Sequence, residues 1–299
     1  MEKKSPSASP AFSVREFFAR FPTEEACLDH IMAVRFGGTR FDCPACGVEN
    51  ATFHRLAQRR AYSCAHCAHH VYPTAGTILQ DTRTPLVSWF YAIYLFTTTR
   101  HGVSGKELQR QLGVTYKTAW RMGQQIRQLT GAADFAAMLC GHVEADEAYI
   151  GGVRPGKRGR GAAGKTIAFG MVERGGPIVA TVVPNVKKAT LRAALTERVA
   201  PGSTVSTDEF MSYGLLSPDG FRHGHVNHKA KEWSRTESDG VRHSTNHVEA
   251  FWQLFKNSIR STHIHVSQKY MQRYLDEFTF RANHRERQNA MFDLLVGAL

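Results

Sequence analysis

The sequence has 299 residues, of which 42% are hydrophobic, enough for one or two domains with packed cores and some smaller modules. Its formal net charge of +12 favours a polyanionic partner, with nucleic acid ahead of an acidic membrane surface. The longest apolar run, residues 85–96, contains Ser88 and is too short to cross a bilayer, which argues against an integral membrane protein. We therefore expect a soluble, intracellular protein.

The first 38 residues are predicted to form a polar lead and two short helices. Residues 1–12 lack the apolar stretch of a signal peptide, so we expect a disordered lead. Residues 13–38 are predicted as N-terminal helices, with a helix start at Thr23 and a stop at Gly37. Cys27 falls within the apolar pattern of the second helix and is predicted to be a buried thiol.

Residues 39–75 contain two cysteine pairs with the spacing C-x2-C-x17-C-x2-C. In a reducing compartment, two such pairs can present four thiolates to one Zn²⁺, whereas a redox role leaves the second pair unexplained. We predict a zinc ribbon with one structural Zn²⁺, held by Cys43, Cys46, Cys64 and Cys67. The basic hairpin between the pairs is compatible with a phosphate contact or with a solvated surface.

Residues 85–130 have the pattern of a DNA-binding helix-turn-helix, with Gly113 at the turn. The second helix, 115–126, is predicted to carry five side chains outward: Tyr116, Lys117, Trp120, Arg121 and Gln124. A plain helical hairpin is the alternative. The basic net charge and the neighbouring ribbon favour DNA binding, with Tyr116, Lys117 and Arg121 as contacts.

Residues 140–262 have the element order of an α/β domain with one mixed central sheet flanked by helices. The predicted strands are 142–150, 166–173, 178–183, 204–208 and 221–228, with a helix at 187–199. A short helical piece is expected at 213–216, and residues 263–299 are predicted as a C-terminal helical segment. After the first strand lies a basic loop that we expect to contact DNA through Arg154, Lys157, Arg158, Arg160 and Lys165.

An amphipathic helix follows the last strand. Its apolar stripe consists of Val248, Phe251, Trp252, Phe255 and Ile259, at the spacing of a helix packed on a core. Glu249 and Lys256 are two helical turns apart and so lie on one face. A solvated ion pair is the ordinary interpretation of this spacing, and a site that binds a metal ion and a phosphate is the alternative.

Three acids occupy positions that suit a shared site. Asp146 is predicted in the middle of a strand, Asp208 at the end of another, and Glu249 on the helix beside both. Bringing three carboxylates together is costly unless cations lie between them. Two Mg²⁺ or Mn²⁺ ions would supply that charge and would suit phosphodiester chemistry. We expect the three carboxylates to converge even without metal.

Several segments of this sequence resemble a known family, the insertion-sequence DDE transposases that carry an N-terminal zinc ribbon (the ISXO-like group). The resemblance covers nearly the whole chain after about residue 12. It rests on the cysteine pairs, the helix-turn-helix and the segments EADEAYIGG (144–152), PGKRGRGAAGK (155–165), STD (206–208), NHVEAFWQLFK (246–256), HIHVS (263–267) and YLDEFTFRAN (274–283).

The resemblance implies an RNase H-like catalytic domain with Asp146, Asp208 and Glu249 as the metal-binding triad and Lys256 as a phosphate contact. It further implies a bacterial, nucleoid-associated enzyme that acts as a homo-oligomer on the terminal inverted repeats of an element and on target DNA. A small-molecule substrate is not expected. Asn246 is the alternative to Glu249 as third ligand, although Mg²⁺ favours the charged oxygen. A DNA-binding relative without catalysis and a stand-alone nuclease are the alternative functions.

Overall fold

The computed structural model describes residues 12–134, 138–151, 164–208 and 220–299. The chain forms two compact units. One contains the chain up to Ala133 together with His284–Leu299, and the other is Asp134–Asn283. Among the described residues, every helix is too short or too polar to cross a membrane.

The first unit opens with helices α1 (Val14–Arg20) and α2 (Glu24–Phe36). The side chain of Thr23 accepts a hydrogen bond from Ala26 N–H, and Gly37 ends α2 in the left-handed conformation with φ of 72°. Both ends were predicted from the sequence and are confirmed. Cys27 is fully buried, as its place in the apolar pattern indicated.

A small antiparallel sheet follows these helices. Its strands are β1 (Arg40–Phe41), β2 (Ala51–Arg55), β3 (Tyr62–Cys64) and β4 (His70–Val71), in sequential order. The turns on either side of β2 and β3 carry the two cysteine pairs. This is the architecture predicted for a zinc ribbon.

Three further helices complete the predicted DNA-binding region: α3 (Leu86–Thr98), α4 (Gly105–Leu112) and α5 (Tyr116–Ala133). Gly113 has φ of 64° and ends α4, so that residues 113–115 form the turn of the helix-turn-helix. The outward orientation predicted for Gln124 is wrong, because this side chain is 3% exposed. Helix α5 is covered along Met122–Gln124 and again at Ile126, so its buried face is wider than one apolar stripe.

The second unit is organised around a five-stranded sheet. Its strands are β5 (His142–Ile150), β6 (Thr166–Glu173), β7 (Ile178–Val183), β8 (Thr204–Asp208) and β9 (Arg222–Val226). Their spatial order is β7-β6-β5-β8-β9; the first three are antiparallel, and β8 and β9 run parallel to β5. This mixed topology is that of the RNase H-like fold, so the predicted fold class is confirmed.

Helices cover both faces of this sheet. Helix α6 (Lys188–Arg198) packs Leu191 and Leu195 against one face. The ladder β10 (Arg235–Thr236) with β11 (Arg242–His243), which the sequence did not predict, precedes helix α7 (Asn246–Ser258). Helices α7 and α8 (Met271–Asn283) cover the other face.

Helix α7 lies very close to β6. A Cβ on Gly170 would stand 2.6 Å from Cζ2 of Trp252, so only glycine leaves room for the indole. Trp252 and Phe255 are buried there, and each contributes about 2–3 kcal/mol by leaving water. This packing fixes α7 over the centre of the sheet, where Gly170 pairs with Asp146.

The predicted C-terminal helical segment, 263–299, is divided between the units. Helix α8 belongs to the sheet-containing unit, and helix α9 (Gln288–Gly297) belongs to the first unit. Phe292 of α9 is fully buried and lies 5.3 Å from the ring of Phe21, which explains the division. The short helix predicted at 213–216 lies outside the described residues.

Candidate active site and metal centre

The three candidate acids lie on elements that meet at the centre of the sheet. Asp146 is in the middle of β5, Asp208 ends β8, and Glu249 is in the first turn of α7. Glu144 of β5 pairs with Ser206 of the parallel strand β8. Asp146 and Asp208 each follow two residues later on their own strand. Because side chains alternate along a strand, both aspartates project to the face that α7 covers.

The three carboxylates influence one another electrostatically. Burial, and then the negative charges of Glu147, Asp208 and Glu249, raise the pKa of Asp146 to about 8. The oxygens do not form a closed ligand set, because the one group of three or more ligand atoms within 4.8 Å among the described residues consists of cysteines. The three carboxylates therefore lie on one face of the sheet without forming a ligand set, and their shared role stays a prediction.

The carboxylate of Glu249 has two partners of its own. Its Oε1 accepts a hydrogen bond from Thr245 Oγ1 at 2.7 Å and lies 3.0 Å from Nε2 of His228. These contacts hold the acid at the edge of the site. Asn246, the alternative ligand, is the exposed first residue of α7.

Lys256 lies two turns along α7 from Glu249, as predicted. Burial lowers the pKa of Lys256; the charge of Asp146 opposes this, and Arg260 and Lys165 add to it. Lys256 is therefore close enough to Asp146 to feel its charge, with two more cations nearby. Such a group of cations suits a phosphate.

Glu144 has a role that the sequence did not reveal. Its side chain is fully buried and accepts hydrogen bonds from the N–H groups of His247 at 2.7 Å and Val248 at 3.4 Å. These are first-turn donors of α7, which receives no cap from the side chain of Thr245. Arg174 Nε donates to the same carboxylate at 2.9 Å. Glu144 therefore caps the helix that carries Glu249.

The protonation state of Glu144 agrees with this role. Burial alone would raise its pKa, but hydrogen bonds from His247, Arg174 and Ser244 outweigh burial and hold the pKa below its usual value. The residue stays ionised and stabilises the positive end of the α7 dipole. The signal in the sequence was its alternation with Asp146, which placed both on one face without identifying the partner of Glu144.

A chain of hydrogen-bonded histidines lies beside Glu144. Arg174 Nη1 is 3.2 Å from Nδ1 of His142, whose Nε2 is 2.7 Å from Ser206 Oγ. Ser206 Oγ in turn lies 2.8 Å from Nδ1 of the fully buried His243. Burial and the adjacent Arg174 charge lower the pKa of His142 to about 4. This chain braces β5, β8 and the segment before α7.

Only some of the predicted DNA-contacting residues lie in the part of the chain that the structure describes. Tyr116 is exposed and its ring lies 4.9 Å from Nζ of Lys106. Lys117 and Arg121 are exposed, and the Arg121 guanidinium lies 5.8 Å from the Trp89 ring. Lys165 lies near Lys256. The other predicted loop cations, Arg154, Lys157, Arg158 and Arg160, lie outside the described residues.

The four predicted zinc ligands do come together. The Sγ atoms of Cys43, Cys46, Cys64 and Cys67 all lie within 4.8 Å of one another, and Cys43 and Cys67 are 3.7 Å apart. Zn–S bonds of about 2.3 Å in a tetrahedron separate sulfurs by about 3.8 Å, so the set fits Zn²⁺. The backbone N–H of Cys46 contributes most to lowering the pKa of Cys43 to about 6, which favours the ligating thiolate.

Family models match two separate parts of the chain. The model of the ISXO2-like transposase domain matches residues 138–283, and that of the transposase zinc-ribbon domain matches residues 22–70. A transposase-like protein of Haemophilus influenzae is 34% identical over 110 residues, which are 36% of this chain and 83% of that protein. The chain belongs to the ISXO2-like transposase family.

The chain also matches a second relative and several solved structures. A protein in transposable element ISH50 of Halobacterium salinarum is 29% identical over 196 residues, 59% of this chain. That match spans 65% of the relative, less than two thirds of its length. Among solved structures, the Mos1 strand transfer complex gives a TM-score of 0.29 at 14% identity, over 68% of this chain and 77% of that one.

Proposed function

We propose that this transposase cuts and joins DNA at the ends of its insertion element, with Asp146, Asp208 and Glu249 as its acidic triad. The observation that carries the proposal is geometric: Asp146 on β5 and Asp208 on β8 project to the sheet face covered by α7, whose first turn contains Glu249. The rise in the pKa of Asp146 caused by the charges of Asp208 and Glu249 supports it. Acids contributed by β5, β8 and α7 have no local structural reason to share one surface. A concentration of negative charge of this kind is stabilised by divalent cations.

The donor set fits Mg²⁺ or Mn²⁺, because all three groups are hard carboxylate oxygens. Asp146, Asp208 and Glu249 would together hold the two ions. When bound, the pair supplies charge neutralisation for the attacking and leaving oxygens of a phosphodiester.

The remaining residues position the DNA. Lys256 contacts a phosphate next to the acids, with Lys165 and Arg260 contributing further positive charge. Water first breaks a phosphodiester bond at the element end and frees a 3′-hydroxyl. That hydroxyl then attacks a phosphodiester of target DNA, so that one P–O bond forms as another breaks.

Recognition of the element ends is assigned to helix α5 of the helix-turn-helix. Tyr116, Lys117 and Arg121 are exposed on this helix, and in this proposal they contact base edges and phosphates in the major groove. The basic loop 154–165 adds contacts that do not depend on sequence. Because each chain contains one acidic triad and an element has two ends, we propose a homo-oligomer on DNA.

The test is incubation of the protein with Mg²⁺ or Mn²⁺ and labelled element-end DNA, followed by separation of nicked and joined products. Joined products support the transposase mechanism. Nicks without joining indicate a stand-alone nuclease, and retained binding without nicks indicates a DNA-binding relative that has lost catalysis.

A further inference from the structure

An exposed tryptophan lies beside the candidate active site, in the segment before α7. Trp233 is 58% exposed, whereas Trp89 and Trp252 are at most 3% exposed. Its ring lies against the imidazole of His228, with centroids 5.3 Å apart and an interplanar angle of 34°. Since His228 Nε2 is 3.0 Å from Glu249 Oε1, a single side chain separates the indole from the acid.

The turn that presents this indole is held in one conformation. Asn227 Oδ1 accepts from Ala230 N–H at 3.1 Å, and Asn227 O accepts from Glu232 N–H at 3.1 Å. Glu232 Oε2 accepts from Asn227 N–H at 3.0 Å, and Lys231 takes the left-handed conformation with φ of 59°. An exposed ring on a braced turn loses little conformational freedom when a ligand stacks on it.

The charge of this turn indicates what the ring would bind. Lys229 and Lys231 are exposed on the same turn, in a chain with a net charge of +12. A cationic surface with an exposed aromatic ring is suited to a nucleic-acid strand, because lysines attract phosphates and an indole stacks on a base. The face of a base is accessible only when the base has left the double helix.

We propose that Trp233 is a stacking platform for one unpaired base of the DNA strand that enters the site at Glu249. This inference rests on the proposed function, since it requires DNA at the acidic triad. The platform binds a base next to the reacting phosphate and so favours strands that are locally unpaired there. Lys229 and Lys231 contact the phosphates on either side of that base.

The experiment compares two DNA probes. One is a 20-base-pair duplex with a 3′ overhang of five nucleotides, in which the central nucleotide is 2-aminopurine and the other four are thymidine. The other is the same duplex with blunt ends. Binding is measured with the zinc-loaded protein in the absence of Mg²⁺ and Mn²⁺, so that cleavage is not needed. Stacking on the indole quenches 2-aminopurine fluorescence. We expect the wild-type protein to quench it and to prefer the overhang.

Trp233→Ala should abolish the quenching and weaken overhang binding by about five- to 100-fold, with blunt-duplex binding unchanged. Trp233→Phe should retain most of the quenching and most of the affinity for the overhang. Leu254→Ala, which truncates a 40% exposed side chain on α7, serves as the matched control. Wild-type behaviour of Trp233→Ala, or no overhang preference in the wild-type protein, would overturn the stacking proposal. Cleavage assays test the proposed function separately.

Discussion

Glu144 Oε2 accepts a hydrogen bond from the backbone N–H of His247 at 2.7 Å, which joins the strand that carries Asp146 to the helix that carries Glu249. The same buried carboxylate accepts from Arg174. One side chain thus sets the position of α7 relative to β5, two residues from the candidate metal ligand. Glu144 acts through the helix and has no direct part in the proposed chemistry.

Replacing Glu144 with Ala should destabilise the sheet-containing unit by about 2–4 kcal/mol, because it leaves Nε of Arg174 and two α7 amides without their acceptor. Amide hydrogen exchange of β5 and β6 as a function of denaturant measures the loss within this unit. Glu144→Gln should cost less, because an amide oxygen still caps the helix. Glu197→Ala is the control: it removes an exposed ion-pair partner and should change stability by less than about 1 kcal/mol.

Gly170→Ala should lower both stability and DNA cleavage. The new Cβ would stand 2.6 Å from Trp252 Cζ2, and relieving this contact moves α7 and Glu249 away from Asp146. The expected cost is about 1–3 kcal/mol. Gly297→Ala, where nothing lies within 4 Å of the added Cβ, should be neutral. If the Gly170→Ala/Trp252→Phe double variant regains stability and cleavage relative to Gly170→Ala, the contact with the indole is the cause. A double variant no better than Gly170→Ala would contradict this explanation.

Most of the elements could be predicted from the sequence, because burial imposes a period on each of them. The strand 142–150 and the apolar stripe of α7 are found where the pattern placed them. Polar partners are different, since periodicity assigns a face but not a long-range contact. Glu144 and His247 are more than 100 residues apart, as are Glu144 and Val248, so their roles required the structure.

Two further features could not be predicted from sequence patterns. Gln124 has the polarity of a surface residue but is buried, since a second side of α5 is covered. The pairing of His228 with Glu249 joins a loop to a helix and follows no spacing rule. Both cases concern tertiary contacts that local propensity does not encode.

Acid should destabilise the protein through His142. Its pKa is about 4 in the folded state, below the unfolded value of about 6.5, so the unfolded chain binds more protons between these values. The contribution of the neutral His142 side chain to the free energy of unfolding is fully present above pH 6.5, and it is lost as the pH falls towards 4. The stability difference between the wild type and His142→Gln should therefore shrink by about 2 kcal/mol between pH 7 and pH 4.5. A difference independent of pH would contradict this account.

The cysteine cluster should bind about one zinc per chain, which metal analysis of protein purified without chelator measures. Cys64→Ser should lose that metal and unfold the ribbon while the sheet-containing unit keeps its cooperative transition. Cys140→Ser is the matched control, because Cys140 is exposed and outside the cluster. A ribbon that stays folded without metal would exclude a structural role for zinc.

The Glu249→Gln variant tests most directly whether Asp146, Asp208 and Glu249 together hold the catalytic metal ions. The substitution keeps the size and hydrogen bonding of the side chain and removes its charge. With Mg²⁺ and labelled element-end DNA, we expect nicking and joining to fall at least about 100-fold while DNA binding stays near the wild-type value. Asn246→Ala should cut like the wild type. If Glu249→Gln cuts at the wild-type rate and Asn246→Ala does not, the third ligand is Asn246 and the proposed triad is wrong.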